Sequence, residues 1–150
     1  MDAEFLKSNK ISGAVSVTAG AAGATDINGS TLDMAGFDAV TMLAQFGAIV
    51  SGAATSIKAQ HGDASDASDM ADVEGTSQTV ADTDDEKLFV INIIRPQKRY
   101  VRLVVKRATQ NATVIGTYIQ YAAKELPVPS QGSVVGGTPE SFVFPASGTA

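Results

Sequence analysis

The stretch from Lys87 to Arg107, KLFVINIIRPQKRYVRLVVKR, constrains the fold more than any other part of the chain. From Tyr100 onward it alternates: Val101, Leu103 and Val105 share one parity, and Tyr100, Arg102, Val104 and Lys106 the other. Period-two alternation of β-branched residues sends one row of side chains into a core and the other toward water, which is a half-buried strand. Leu88–Ile94 differs. It is apolar at both parities apart from Asn92, so it is either covered on both sides or placed at an interface. Between the two, Arg95-Pro96-Gln97-Lys98 breaks the run, because proline cannot donate to a ladder and pre-sets a turn. Together these segments predict a hairpin with a cationic tip, since more than half of the eleven basic residues lie between Arg95 and Arg107.

The same period recurs along the chain. Val15 and Val17 share a face in a strand over Ala14 to Thr18, and Val40, Met42, Ala44 and Phe46 share one within Asp38 to Ile49. Ser51 to Gln60 reads as a turn and a strand with Ile57 inward and Lys58 outward. Thr113 to Ala122 carries Val114, Gly116, Tyr118 and Gln120 on one side, so three consecutive antiparallel strands are expected to end the folded body. Asn28-Gly29 favours a type I′ hairpin turn, because both residues tolerate positive φ. At 150 residues the chain buries roughly two-thirds of its unfolded surface as one domain. Short strands, many glycines and an aliphatic core predict an all-β, antiparallel β-sandwich over residues 14–125. An N-terminal arm, residues 1–13, has Phe5 and Leu6 as its anchors and is read as either loose or docked. A Pro- and Gly-punctuated C-terminal tail covers residues 126–150. Within the tail, Phe142, Val143 and Phe144 form an apolar knot that docks on its own domain or anchors on a neighbour.

Composition excludes much chemistry. Without cysteine there is no disulfide framework and no thiolate metal site. His61 is the single histidine, and a Ser–His–Asp site would have to use it in a loop-like region. The GAAGAT segment lacks the lysine that a phosphate loop brings to its ligand. Nucleophile-elbow, metalloprotease and dinucleotide signatures are missing, and no enzyme activity or cofactor is expected. A net charge of −5 argues against direct nucleic-acid binding. No apolar run is long enough to span a membrane, and MDAEFLKSNK places acids where a signal peptide carries its basic region. Asn111-Ala112-Thr113 matches a glycosylation sequon, which has no meaning without secretion.

Residues 62–86 hold more than half of the sixteen acids and no lysine or arginine. Asp63, Asp66, Asp69 and Asp72 recur every third residue, whereas a calcium loop of the EF-hand type needs ligands at alternate positions and a closing glutamate. A long solvated loop, with one helical turn around Ser68–Val73, fits the Ser/Asp content, and an adventitious divalent ion stays open. This loop is the natural partner for the basic cluster, within one molecule or between copies.

Carbohydrate or receptor binding by a β-sandwich is one functional reading, but such modules use aromatic platforms. Here tryptophan is absent, leaving only Tyr100, Tyr118 and Tyr121. An assembly protein is the other. TDINGSTLDMAGFDAVTMLAQFG, then SGAATSIKAQ and a variable acidic loop, then KRYVRLVVKRATQNATVIGTYIQY, follow one another in an order that carries a resemblance. Over residues 14–122, with the run RYVRL from Arg99 to Leu103 as its most telling part, the chain resembles the small jelly-roll cement (decoration) proteins on the capsids of tailed double-stranded DNA bacteriophages. The resemblance implies a jelly roll of about eight strands that forms a dimer or trimer on the outer head surface. It would be synthesised in the host cytoplasm and would bridge and stabilise the major capsid protein without chemistry. The residues expected to touch partners, from exposure and charge, are Arg95, Lys98, Arg99 and Tyr100 at the turn and Phe142, Val143 and Phe144 in the tail.

Overall fold

A computed structural model describes residues 5–18, 25–50, 55–107 and 112–128. After a helical turn, α1 (Phe5–Ser8), the described chain is all β. Its strands are β1 (Lys10–Thr18), β2 (Ile27–Asn28), β3 (Leu32–Asp33), β4 (Phe37–Ile49), β5 (Thr55–Gly62), β6 (Ala71–Asp72), β7 (Gln78–Val80), β8 (Leu88–Ile94), β9 (Tyr100–Lys106) and β10 (Ala112–Ala123). They form two antiparallel sheets. Sheet A runs β1-β10-β4-β8, and sheet B runs β2-β9-β5-β6, with β3 also on β9 and β7 also on β5.

β2 and β3 both pair antiparallel with β9, so they are one strand with a break, and β6 and β7 are likewise one interrupted edge strand on β5. The ten segments therefore fill eight strand positions, and the chain crosses from one sheet to the other between successive positions except once, where β5 and the β6/β7 strand are neighbours in sheet B. That is the order of a jelly roll. The core lies between the sheets. Val40, Met42, Ala44 and Phe46 of β4 and Val114 and Tyr118 of β10 face Ile57 and Ala59 of β5 and Val101, Leu103 and Val105 of β9. The rows expected to point inward in β5 and β9 are buried, and of the two parities in β4 and β10 the rows of Val40 and Val114 are the buried ones, although Val104, on the outward parity of β9, is buried as well.

Several expectations change. β8 and β9 are not a hairpin: β8 is the edge of sheet A on β4, and β9 lies inside sheet B between β5 and the β2/β3 strand. For the same reason β8, β9 and β10 are not three successive neighbours, because β10 pairs with β1 and β4. A sandwich buries both inward rows when the chain crosses between sheets, and residues 95–99 are long enough to make that corner. Asn28-Gly29 is not a hairpin turn, because the strand continues through it in the same direction after a break. β1 starts at Lys10 rather than Ala14, pairing Lys10 with Gln120 and Ile11 with Ile119, so the last residues of the expected arm are strand. At the other end Val128 is buried and its N–H donates to the carbonyl of Lys7 at 2.8 Å.

The acidic segment is more ordered than a solvated loop and contains no helical turn. β6 and β7 complete the edge of sheet B, while the periodic aspartates close turns. Asp69 accepts from the N–H groups of Asp63 and Ala64, and Asp66 from that of Ser68. Carboxylates that accept local backbone bonds are turn formers.

Candidate functional site

Two surfaces stand out, and Arg95 joins them. The first is the corner from Arg95 to Arg99, which carries the chain from sheet A to sheet B. Its ends are pinned by the start of β4 and by the β3–β4 connection: the N–H of Arg95 donates to the carbonyl of Asp38 at 2.7 Å, and the carbonyl of Arg99 accepts from Met34 N–H at 2.9 Å. Arg95 takes the left-handed conformation, φ +52°, that turns the chain away from the sheet A edge.

The predicted contact residues divide here. Arg99 is bidentate to Asp33, with Nε to Oδ1 at 3.0 Å and Nη2 to Oδ2 at 2.8 Å, and its guanidinium lies 5.2 Å from the ring centroid of Tyr100. Lys98 pairs with Asp63, so the acidic segment does meet the basic cluster within one molecule. Among the described residues, Arg95 is the cation of this corner with no carboxylate partner, and it sits between two open clefts. One, of about 450 Å³, is lined by His61, Asp72, Glu74, Ile93 and Gln97; the other, of the same size, by Met34, Phe37, Asp38 and Lys124. Phe142, Val143 and Phe144 lie outside the described residues. Of the three tyrosines considered for a sugar platform, Tyr118 is in the core, Tyr100 is half-buried beside Arg99, and Tyr121 donates to Asn92.

The ion pairs perturb their carboxylates. The hydrogen bond from Arg99 holds Asp33 below its ordinary value of 3.8, and the bond from Lys58, with another from Gln60, does the same to Asp72. A carboxyl whose folded pKa is depressed contributes stability above its unfolded pKa and loses it as pH falls through the folded value. Thermal melts should therefore be flat down to about pH 4 and decline below it. Asp33→Asn should remove part of that acid-dependent decline. An unchanged acid limb in the variant would show that the pair adds nothing, a common outcome for exposed pairs.

The second surface is the outer face of sheet A, which sequence reasoning did not assemble. Leu88, Val90, Asn92 and Ile94 of β8 stand beside Gln45, Leu43, Thr41 and Ala39 of β4, and those beside Ile115, Thr117, Ile119 and Tyr121 of β10. No position in these rows is charged. Ile94 is 67% exposed, Leu88 53%, Ile115 45% and Val90 44%. The polar side chains largely bond to one another: Asn92 Oδ1 accepts from Thr41 Oγ1 at 3.1 Å and from the Tyr121 hydroxyl at 2.8 Å. The signal was present in β8, whose two apolar parities allowed an interface. Its neighbours across the sheet were hidden, because pairing β8 with β9 put the wrong residues beside it.

Among the described residues no group of His, Asp and Glu converges as a metal ion needs, and no helix is long and apolar enough to cross a membrane. Comparison with protein-family models, curated proteins and solved structures finds no match to this chain.

Proposed function

We propose that this protein is a structural component of a virus particle, an auxiliary decoration protein on the outer head surface of a tailed double-stranded DNA bacteriophage. It binds the major capsid protein and further copies of itself, and it stabilises the shell by bridging its subunits. One observation carries the reading: of the seven large apolar side chains exposed among the described residues, four, Leu88, Val90, Ile94 and Ile115, lie on one charge-free exterior sheet face. Contiguous apolar patches of this kind mark association surfaces. The order of sequence features over residues 14–122 supplies the particular class of assembly.

In this role the corner meets the capsid. Lys98 and Arg99 are already paired within the molecule, which leaves Arg95 as the cation that gains most from an acidic surface. Each contact is weak, and the binding strength comes from several copies engaging one shell.

The test is sedimentation of the purified protein with heads that lack it. Wild type should pellet with heads in a saturable ratio and raise their resistance to heat. Arg95→Glu should lower the affinity roughly ten-fold while leaving the melting temperature of the free protein unchanged. A protein that stays in the supernatant at saturating concentration ends the proposal.

A further inference from the structure

We infer that the outer face of sheet A is a homodimer interface, on which a second copy of this chain stacks its own sheet A about a twofold axis lying between the two sheets. The inference rests on the reading of the protein as an assembly module, and it names the surface and the partner.

Charge selects the occupant. The chain carries −5 overall, so two copies repel wherever acids face each other. The rows of Leu88, Leu43 and Ile115 across β8, β4 and β10 contain no acid and no base, so copies meet there without like-charge contact. A strongly charged partner would find nothing on this face to pair with. An identical sheet presents the same apolar relief, as the self-complementary contact of a twofold dimer requires.

Desolvation is also prepared. Burying a hydroxyl or amide without a partner is costly. The hydroxyls of Thr41 and Tyr121 already donate to Asn92 within the sheet, so a covering sheet leaves neither donor stranded.

The size fits. Four strands about 4.8 Å apart and roughly seven residues long give a flat footprint on the order of 500 Å², before side-chain relief is counted. A standard interface removes about 800 Å² of accessible surface per partner, which is the same scale. Two sheets stacked about 10 Å apart with strands inclined by roughly 30° repeat the packing inside the sandwich itself. Ile94, at one end of the face, is followed directly by Arg95. The dimer thus carries two cationic corners on one rigid body, the bivalence that avidity needs.

The mass of the full chain in solution tests this by sedimentation equilibrium and by light scattering after gel filtration. Wild type should reach twice the 15.4 kDa chain mass at micromolar concentration. Val90→Lys and Ile115→Lys, on different strands, should each return it to 15.4 kDa without lowering the melting temperature of the monomer. Val90→Thr, which keeps the shape, should weaken the dimer roughly ten-fold and reads the same face if a lysine variant fails to fold. A monomer at every concentration overturns the inference. So does a dimer that persists in all three variants, or one lost only when Phe142→Ser and Phe144→Ser are combined, which would make the tail the association element. Dimerisation is read without heads, so a dimer that ignores heads sinks only the virion role, and a monomer that binds heads sinks only the dimer.

Discussion

Phe46→Ala should cost about 3–5 kcal/mol in a denaturant titration, as removal of a fully buried aromatic side chain does. Phe46 is 1% exposed, and its ring meets that of Phe89 edge-to-face with centroids 5.6 Å apart. Phe89 is one of three inward residues of β8, with Ile91 and Ile93, so the same substitution loosens the hold of the core on the sheet A edge. Amide hydrogen exchange should quicken along Leu88–Ile94 more than along β5 or β9. Leu43→Ala, on the same strand but facing outward, is the internal comparison. It should cost the monomer about 1 kcal/mol or less while weakening the dimer, because its side chain contributes chiefly to the exterior face. Both are best measured in the Val90→Lys background, where association does not add to stability. A loss below about 1 kcal/mol for Phe46→Ala, or equal losses for the two, would mean that strand parity does not divide core from interface.

That division was the part of the fold most legible in the sequence. In β9 the period-two pattern names the inward residues correctly, and in β4 and β10 it sorts the residues into the right two faces, because a side chain's face depends only on its own strand. Which strands lie side by side is a different kind of information. Leu88–Ile94 and Tyr100–Lys106 are separated by a short link, and a short link between two strands usually means a hairpin. Arg95 to Arg99 instead carries the chain over the edge of the sandwich, and nothing local distinguishes a corner from a hairpin loop. The consequence reached the candidate site. Placed beside β9, the outward row of β8 has Tyr100, Arg102 and Lys106 near it and looks like a charged surface. Placed beside β4, it has Leu43 and Thr41, and the charge disappears.

The acidic segment shows the complementary case. Its composition signals turns, and the turns are there, with Asp66 and Asp69 accepting backbone N–H groups. The two short strands within it had no pattern to betray them, since Ala71-Asp72 and Gln78–Val80 are too short to show a period. They are held by their neighbour: β5 presents an open edge that any adjacent extended segment can pair with, and the side chains of Lys58 and Gln60 both donate to Asp72 across that edge.

The break between β2 and β3 yields the second large effect. Here three residues, Gly29 to Thr31, span two of β9, and the ladder opens opposite Leu103. Gly29 N–H donates to the Leu103 carbonyl at 2.7 Å, while the Leu103 N–H is met from the opposite sheet by the Tyr118 hydroxyl at 2.8 Å. That hydroxyl donates in turn to the carbonyl of Ser30 at 2.9 Å. Burial raises the pKa of Tyr118, so the group stays protonated and keeps its donor. Tyr118→Phe should cost about 1–3 kcal/mol, because it strands a buried N–H and a part-buried carbonyl without opening much space. Gly29→Ala should cost roughly 3 kcal/mol, near the top of the range for overpacking. A methyl group there would sit 2.8 Å from the Leu103 carbonyl oxygen, 2.8 Å from the Tyr118 hydroxyl and 3.1 Å from the Ala14 carbonyl oxygen, and two of those three atoms are backbone. The two substitutions should not add. With the hydroxyl already gone, one of the three clashes is relieved, so the double variant should be more stable than the sum of the single losses predicts by about 0.5–1 kcal/mol. Strict additivity in equilibrium unfolding would show that the hydroxyl does not occupy the break.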